Sequence, residues 1–511
     1  MSDPESPAIA DDPHRLGVRT VSPHDTAFFG HPRGLSTLFF TEMWERFSYY
    51  GMRALLILFM TAAASEGGLG FDTASAGAVY GLYTSMVYMA CLPGGWVADR
   101  LIGQRRAVLW GGILIASGHF SMAFPSLVTF YLGLLLIVLG TGLLKGNISV
   151  LVGTLYREGD NRRDAGFSLY YVGINLGAFL APLVCGYLGQ RVNWHAGFAA
   201  AGVGMVLGVV QYVFGGRYLG TGGLKPAVSS AAEYASNRSR ALIAALIFIV
   251  IVGGVGVGAY TGAVPVTPTQ IADWAGYLLL IVVVGFFIWL FASGSWTPDE
   301  RKRLYAVAVF FVAAALFWSL FEQAGSTLNL FADRDTRTSV LGWEFPSSWF
   351  QSMNSMFVFS YAAVFAWLWL ALGRRGKEPS TTIKFSLGLI LVGAGFAVLI
   401  VAAQLAAQGV KVSPMWLTVT YLLHTFGELC LSPVGLSAMT KLAPARIAGL
   451  VMGVWFLATS AGNFVAGRLS GFYESMPLPT LFTNIALFGI AAGLILLPLA
   501  PPIKRMMGEV R

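Results

Sequence analysis

Charge is scarce in this chain: of 511 residues, 11% are Asp, Glu, Lys or Arg, while 56% are hydrophobic. A water-soluble domain carries about a quarter charged residues, so this shortage excludes a soluble protein of this size. Cysteine is rarer still. Cys91, Cys185 and Cys430 each fall inside an apolar stretch without metal-ligand spacing, which excludes a disulfide framework and a thiolate metal site and leaves them to pack as small apolar groups. The apolar stretches hold no His-Glu-x-x-His and no Gly-x-Ser-x-Gly, so the membrane-enzyme reading, an intramembrane protease or hydrolase, lacks its motifs. They are also continuously apolar, with none of the alternation of a membrane β-barrel.

What is present is a series of about fourteen apolar stretches of some 20 residues, the expectation for an all-α polytopic membrane protein. The first lies near 36–63 and the last near 479–501. The net charge of +8 follows loop parity. Arg100, Arg105, Arg106, Arg157, Arg162, Arg163, Arg217, Lys225, Arg238, Arg240, Arg301, Lys302, Arg303, Arg374, Arg375, Lys377, Lys384, Lys441, Arg446 and the cations of both tails fall on one side; only Arg191, Arg334, Arg337, Lys411 and Arg468 fall on the other. That is the positive-inside bias. It places both termini in the cytoplasm and makes the basic balance a matter of topology, with no nucleic-acid partner.

The spacing divides the chain into a disordered cytoplasmic tail at 1–33, six spans at 34–219, a linker and inserted two-helix hairpin at 220–300, six spans at 301–502, and a tail at 503–511. Past Arg240 the hairpin carries one formal charge, Asp273, and is expected to be peripheral. Two six-helix halves suit a transporter whose site lies between them near the bilayer midplane.

The first span is the informative one. Glu42, Glu45, Arg46, Tyr49 and Arg53 fall within an arc about 100° wide on a helix, so one stripe gathers charge that lipid cannot accept. An ionisable group at the bilayer centre costs about 2.5 kcal/mol or more, which makes such a stripe the lining of a protein interior or a water-filled path. Lys145, well inside the fourth span and preceded by Gly140-Thr141-Gly142, needs a facing carboxylate, for which Glu42 or Glu45 is the natural candidate. Glu322 shares a helix face with Trp318 one turn earlier, and a desolvated carboxylate beside Trp is a competent proton carrier. Between the second and third spans, Gly94-Gly95-Trp96-Val97-Ala98-Asp99-Arg100 continues into Gly103-Gln104-Arg105-Arg106, where Asp99 and Arg100 with the other arginines suit a charged latch and gate.

These segments resemble a known family. The 94–106 loop resembles the loop motif of the major facilitator superfamily, and Glu42-x-x-Glu45-Arg46 resembles the signature of its proton-coupled oligopeptide transporters. Gly140–Lys145, Tyr170–Ala178, Phe317–Gln323 and Gly427–Pro433 are similar to the same family, over roughly residues 35–500. Gly146 after Lys145, Tyr170 and Ala178 depart from the commoner Pro, Phe and Ser.

The resemblance implies a major facilitator fold and proton-coupled import of di- and tripeptides by alternating access, with protons as the coupling ion, no other cofactor and no metal. Glu42, Glu45, Arg46, Lys145 and Glu322 would carry coupling, Glu322 exchanging its pairing with Arg53. Arg53 would receive the peptide carboxylate and Glu428 the α-ammonium group, assisted by Asn175, Asn354 and Ser432, with Tyr49, Tyr50, Tyr88, Trp318 and Trp455 walling side-chain pockets. Relatives that carry nitrate or another small anion supply the competing substrate class, and a receptor without transport is a third reading. The lipid bilayer is the expected surrounding, the bacterial inner membrane the expected location, and no obligate protein partner is implied.

Overall fold

A computed structural model describes residues 25–157, 159–292, 294, 296–442 and 448–508. Its helices before residue 219 are α1 (Arg33–Thr61), α2 (Thr73–Met89), α3 (Cys91–Val97), α4 (Gln104–Met122), α5 (Leu127–Thr154), α6 (Arg163–Ala181), α7 (Tyr187–Arg191) and α8 (Trp194–Gly215). Then come α9 (Ala231–Tyr260) and α10 (Pro268–Ala292). The remainder is α11 (Pro298–Phe321), α12 (Thr327–Arg334), α13 (Ser352–Arg374), α14 (Thr381–Ala406), α15 (Met415–Leu442), α16 (Ala448–Ser470), α17 (Leu478–Leu496) and α18 (Ala500–Met507). Among the described residues nine helical stretches are long and apolar enough to cross a membrane. The first is absent from that set because Glu42, Glu45, Arg46 and Arg53 lie within α1.

Local chemistry explains the ends and the breaks. At the start of α11 the Thr297 hydroxyl accepts from Glu300 N at 3.2 Å and the Glu300 carboxylate accepts from Thr297 N at 2.9 Å, a complete capping box followed by Pro298. Ser230 caps α9 through Glu233 N. Pro182, which has no N–H, opens a wide π-turn over Pro182–Gly186 between α6 and α7. The strands β1 (Ser339–Val340) and β2 (Trp343–Glu344) meet across Leu341 and Gly342, both at positive φ, the geometry a two-residue hairpin turn demands.

The chain packs as two compact units. One takes its described residues from Met1–Ser48, Ala90–Gly177 and Gly202–Thr267; the other takes its own from Tyr49–Met89, Ala178–Ala201 and Pro268–Arg511. The first has a core of Leu35, Leu38, Ile115, Leu144, Ile148 and Met205. Its α4 and α5 approach on glycines: a methyl at Gly111 would lie 2.6 Å from Gly140 O. Residues 25–32, expected in the disordered tail, are instead held here. His31 Nδ1 and Tyr156 Oη are 3.0 Å apart, and Arg162 donates to the carbonyls of Asp25 and Gly30. The rest of that tail, with Arg15 and Arg19, lies outside the described residues, as do Arg446 and Arg511.

In the second unit α2 meets α16 along Gly77, Gly81 and Gly467. One turn on from Gly81, the Ser85 and Ser460 hydroxyls bond at 2.8 Å and Ser460 Oγ donates to Ser85 O. Apolar burial gives little drive between helices already in lipid, so close backbone approach and hydrogen bonds supply it. The inserted hairpin is less peripheral than expected. Its α10 is pinned to α16 by an Asp273–Arg468 ion pair at 2.5 Å, and a methyl at Gly276 would strike the Phe464 ring. The stretch at α9, by contrast, buries essentially nothing.

A side chain at Gly81 would sit 2.8 Å from Gly467 Cα and 3.0 Å from Phe464 O, both backbone atoms that cannot move aside. Gly81→Leu should therefore abolish monodisperse elution in detergent or lower the melting temperature by more than about 10 °C, while Gly95→Ala, where nothing lies within 4 Å, should elute and melt as the wild type. Equal behaviour of the two variants would contradict this packing.

Candidate functional site

The helical run that begins with α11 does not continue straight through Glu322. After Phe321 one 3-10 turn, Glu322–Gly325, leads to Ser326 at φ −125°, ψ −89°, and only then does α12 begin. A break of this kind frees backbone groups that must find other partners in an apolar setting. They do: the Ala324 carbonyl accepts from Gln351 Nε2 and from Tyr421 Oη, while Gln323 Nε2 donates to Ser319 O at 3.2 Å and to Ala466 O at 3.3 Å. Thr327 donates to the Gln323 amide oxygen. Gly325 is required, because a methyl there would strike the Tyr80 hydroxyl and come within 2.5 Å of Arg53 Nε.

Glu322, at the end of α11 and the start of this turn, meets Arg53, whose Nη2 lies 2.6 Å from Glu322 Oε2, with each side chain only 5% exposed. Arg53 Nε donates to Tyr80 Oη at 2.8 Å, and its guanidinium carbon stands 5.7 Å from the centre of the Tyr50 ring. One helix turn past the break, Asn329 Nδ2 donates to Ala54 O at 2.8 Å and ties α12 to α1. A buried pair of this kind is close to neutral as a whole but costs about 3–5 kcal/mol when one partner is removed, because the other is stranded.

A second polar pair lies between α13 and α15. Asn354 Nδ2 donates to Glu428 Oε2 at 2.8 Å and to Thr425 Oγ1 at 3.1 Å, which aims the carboxylate without neutralising it. The candidate aromatics of this unit are placed by packing. Tyr49 and Tyr50 form an edge-on pair at 5.2 Å, Trp318 packs edge-on to Phe317 and Phe321, and Trp455 is buried with its ring against Gly435. Tyr88 and Ser432 are half-buried.

In the other unit, Arg46 Nε lies 3.3 Å from Glu42 Oε1 and bonds Glu45, and all three side chains are buried. Lys145 shares their electrostatic neighbourhood, and Tyr170 is a neighbour of Glu42. Asn175 turns its amide onto the Tyr171 carbonyl of its own helix at 3.1 Å. The latch expected of Asp99 with the arginines is differently made. Asp99 accepts from Gln104, while Arg100 pairs with Glu233 at 2.7 Å and Arg105 donates to the carbonyls of Gly216 and Gly220. The loop motif is thus bound to the segment that leads into α9, a partner that no spacing within the motif reveals.

Several residues of these sites escaped sequence reasoning. Tyr80 reads like Tyr83 and Tyr88 in an apolar span, and Asn329, Gln351 and Thr425 carry no charge to mark them. The only usable signal was the Gly325-Ser326 pair inside an otherwise apolar run, a combination that favours a helix break.

Residues 105–483 match the model of the POT family. The chain is 43% identical over 511 residues to the peptide transporter YePEPT of Yersinia enterocolitica subsp. palearctica serotype O:3 (strain YE-P4), covering 97% of this chain and 99% of that one. It is 37% identical to the di-/tripeptide transporter of Lactococcus lactis subsp. cremoris, covering 97% of this chain and all of that one. A crystal structure of a peptide transporter POT in complex with sulfate superposes with a TM-score of 0.88 at 44% identity, over 94% of this chain and 97% of that one.

Stranding one member of the Arg53–Glu322 pair has a measurable consequence. Arg53→Ala should lower the melting temperature of the detergent-purified protein clearly, as expected from a loss of about 3–5 kcal/mol, and adding Glu322→Gln to that variant should restore much of it, since the stranded charge is then gone. A double variant no more stable than Arg53→Ala would rule out the pairing as the cause.

Proposed function

This chain belongs to the POT family, and from that membership we propose that it is a proton-coupled symporter that imports di- and tripeptides by alternating access of two six-helix bundles with a major facilitator fold. It is a transporter, not an enzyme. The observation that carries the reading is the Arg53–Glu322 ion pair, buried, at 2.6 Å, at the point where α11 gives way to α12. As long as both groups are charged they satisfy each other. A proton on Glu322 removes the anion and leaves Arg53 to seek another, which a peptide carboxylate provides in the bidentate geometry that guanidinium favours. Substrate and proton then enter together because each makes room for the other.

Glu428, held by Asn354, whose amide also donates to Thr425, is the complementary end of the site and takes the peptide α-ammonium group. A clamp on the two termini recognises what all short peptides share and leaves side chains to aromatic walls such as Tyr50, Trp318 and Trp455. A nitrate-sized anion would have no use for Glu428, and the relatives above are named for peptides. The Glu42, Glu45, Arg46 and Lys145 cluster serves as the second proton-sensitive switch, in which a carboxylate alternates between holding a proton and pairing with Lys145. The distribution of Lys and Arg supports a membrane protein with both termini in the cytoplasm, and the likeness to bacterial relatives supports a bacterial inner membrane as its location.

Two assays in proteoliposomes test this. Glu322→Gln should abolish uphill uptake driven by an imposed pH gradient while peptide exchange across the same membrane continues, whereas Lys145→Ala should cripple both modes; uphill uptake by Glu322→Gln at the wild-type level would reject Glu322 as the coupling site. Blocked peptides test the clamp. A C-terminally amidated dipeptide should bind the wild type about 10- to 150-fold more weakly than the free acid but lose little on Arg53→Ala, and an N-acetylated one should behave likewise with Glu428→Gln. If blocked and free peptides compete equally on the wild type, the termini are not what the site reads.

A further inference from the structure

Tyr80 is a fully buried phenol on α2 that no charge pattern singles out, yet it makes the bond to Arg53 that does not depend on a proton. The geometry of the guanidinium gives that bond its meaning. Nε and Nη2 lie along one side edge of the planar group; Tyr80 Oη takes the Nε donor at 2.8 Å and Glu322 Oε2 lies 2.6 Å from Nη2. The Tyr80 contact is an aligned hydrogen bond, whereas Glu322 pairs with Nη2 by charge, so the bond at Nε sets where the end fork formed by Nη1 and Nη2 points. That end fork has the spacing to take both oxygens of a carboxylate.

The two partners differ in what protonation does to them. Glu322 ceases to be an anionic acceptor when it takes a proton, while a phenol accepts from Nε equally well before and after. Without Tyr80 the guanidinium would then keep its contact with the Tyr50 ring, at 5.7 Å, but would lose the hydrogen bond that fixes its plane. The surroundings are built to keep Tyr80 in reach. Gly325 leaves the space in which the hydroxyl and Nε meet, and α2 is fixed to α16 by Gly81 against Gly467 one residue beyond Tyr80.

We propose that Tyr80 is a positioning residue for substrate recognition: by holding Arg53 Nε it keeps the end fork in register for a peptide carboxylate through the step in which Glu322 is protonated. This rests on the assignment of Arg53 to the peptide carboxylate above. The consequence is selectivity rather than general affinity, since a ligand that does not use Arg53 gains nothing from its orientation.

The test compares a dipeptide with its C-terminal amide, Ala-Ala and Ala-Ala-amide, as competitors of a radiolabelled dipeptide in proteoliposomes. Tyr80→Phe removes one oxygen atom and keeps the ring. It should weaken Ala-Ala roughly 3- to 10-fold and leave the amide almost unchanged, so that the preference of the wild type for the free acid falls by the same factor. An unchanged preference, or an equal loss for acid and amide as a packing defect would give, overturns the proposal. Should Tyr80→Phe fail to fold, Tyr80→Met, which also removes the hydroxyl and fills the space with an unbranched side chain, takes its place: a reduced acid-to-amide preference supports the proposal and an unchanged one overturns it. A wild type that binds acid and amide alike removes the carboxylate assignment itself, and is distinguishable because it needs no variant.

Discussion

An ionised pair shut away from water is the constraint on which the second unit depends. Arg53 and Glu322 are both charged residues in apolar helical surroundings, and neither is tolerable there alone. α11 places Glu322 at its end, and the Glu322–Gly325 turn that follows brings Gly325 against the Arg53–Tyr80 contact, where a side chain would not fit. That turn uses Gln351 and Tyr421 for its freed carbonyl. The buried pair thus sits beside a helix break, a glycine, and side chains from α13's approach and from α15.

The second constraint is steric. In an apolar solvent, burial of leucines does not hold helices together, and the chain relies instead on small residues that let backbones touch. Gly77, Gly81 and Gly467 bring α2 onto α16, and Gly111 and Gly140 bring α4 onto α5. The same closeness serves the chemistry. Tyr80 lies between Gly77 and Gly81 on the stretch of α2 that is seated most tightly, so the hydroxyl that orients Arg53 is placed by glycine packing rather than by any polar contact of its own helix.

Cations here do two different jobs. Arg100, Arg105 and Arg468 sit where topology wants positive or negative bias, yet each also makes a specific bond: Arg100 with Glu233, Arg105 with the carbonyls of Gly216 and Gly220, and Arg468 with Asp273. The first two secure the segment that leads into α9 and the third secures α10. An insertion whose α9 stretch buries almost nothing is nevertheless tied down at defined points.

The sequence by itself determined the class: too little charge for water, long apolar runs for helices, and cations sorted by loop parity. It also marked the charged residues that matter, because in an apolar span a charge is conspicuous; Glu42, Glu45, Arg46, Arg53, Lys145, Glu322 and Glu428 are all visible at that level. The pairing of Arg53 with Glu322 was implied by the family resemblance, and the fold brings the two together. Only the tertiary structure decided the other partners: Asp99 takes Gln104 while Arg100 takes Glu233, Asn175 bonds its own helix, and residues 25–32 fold onto Tyr156 and Arg162. The neutral partners were illegible for a physical reason. A tyrosine or glutamine costs little to place in an apolar span, so composition carries no strain to betray it, and its role exists only once folding has brought a charge within 3 Å of it.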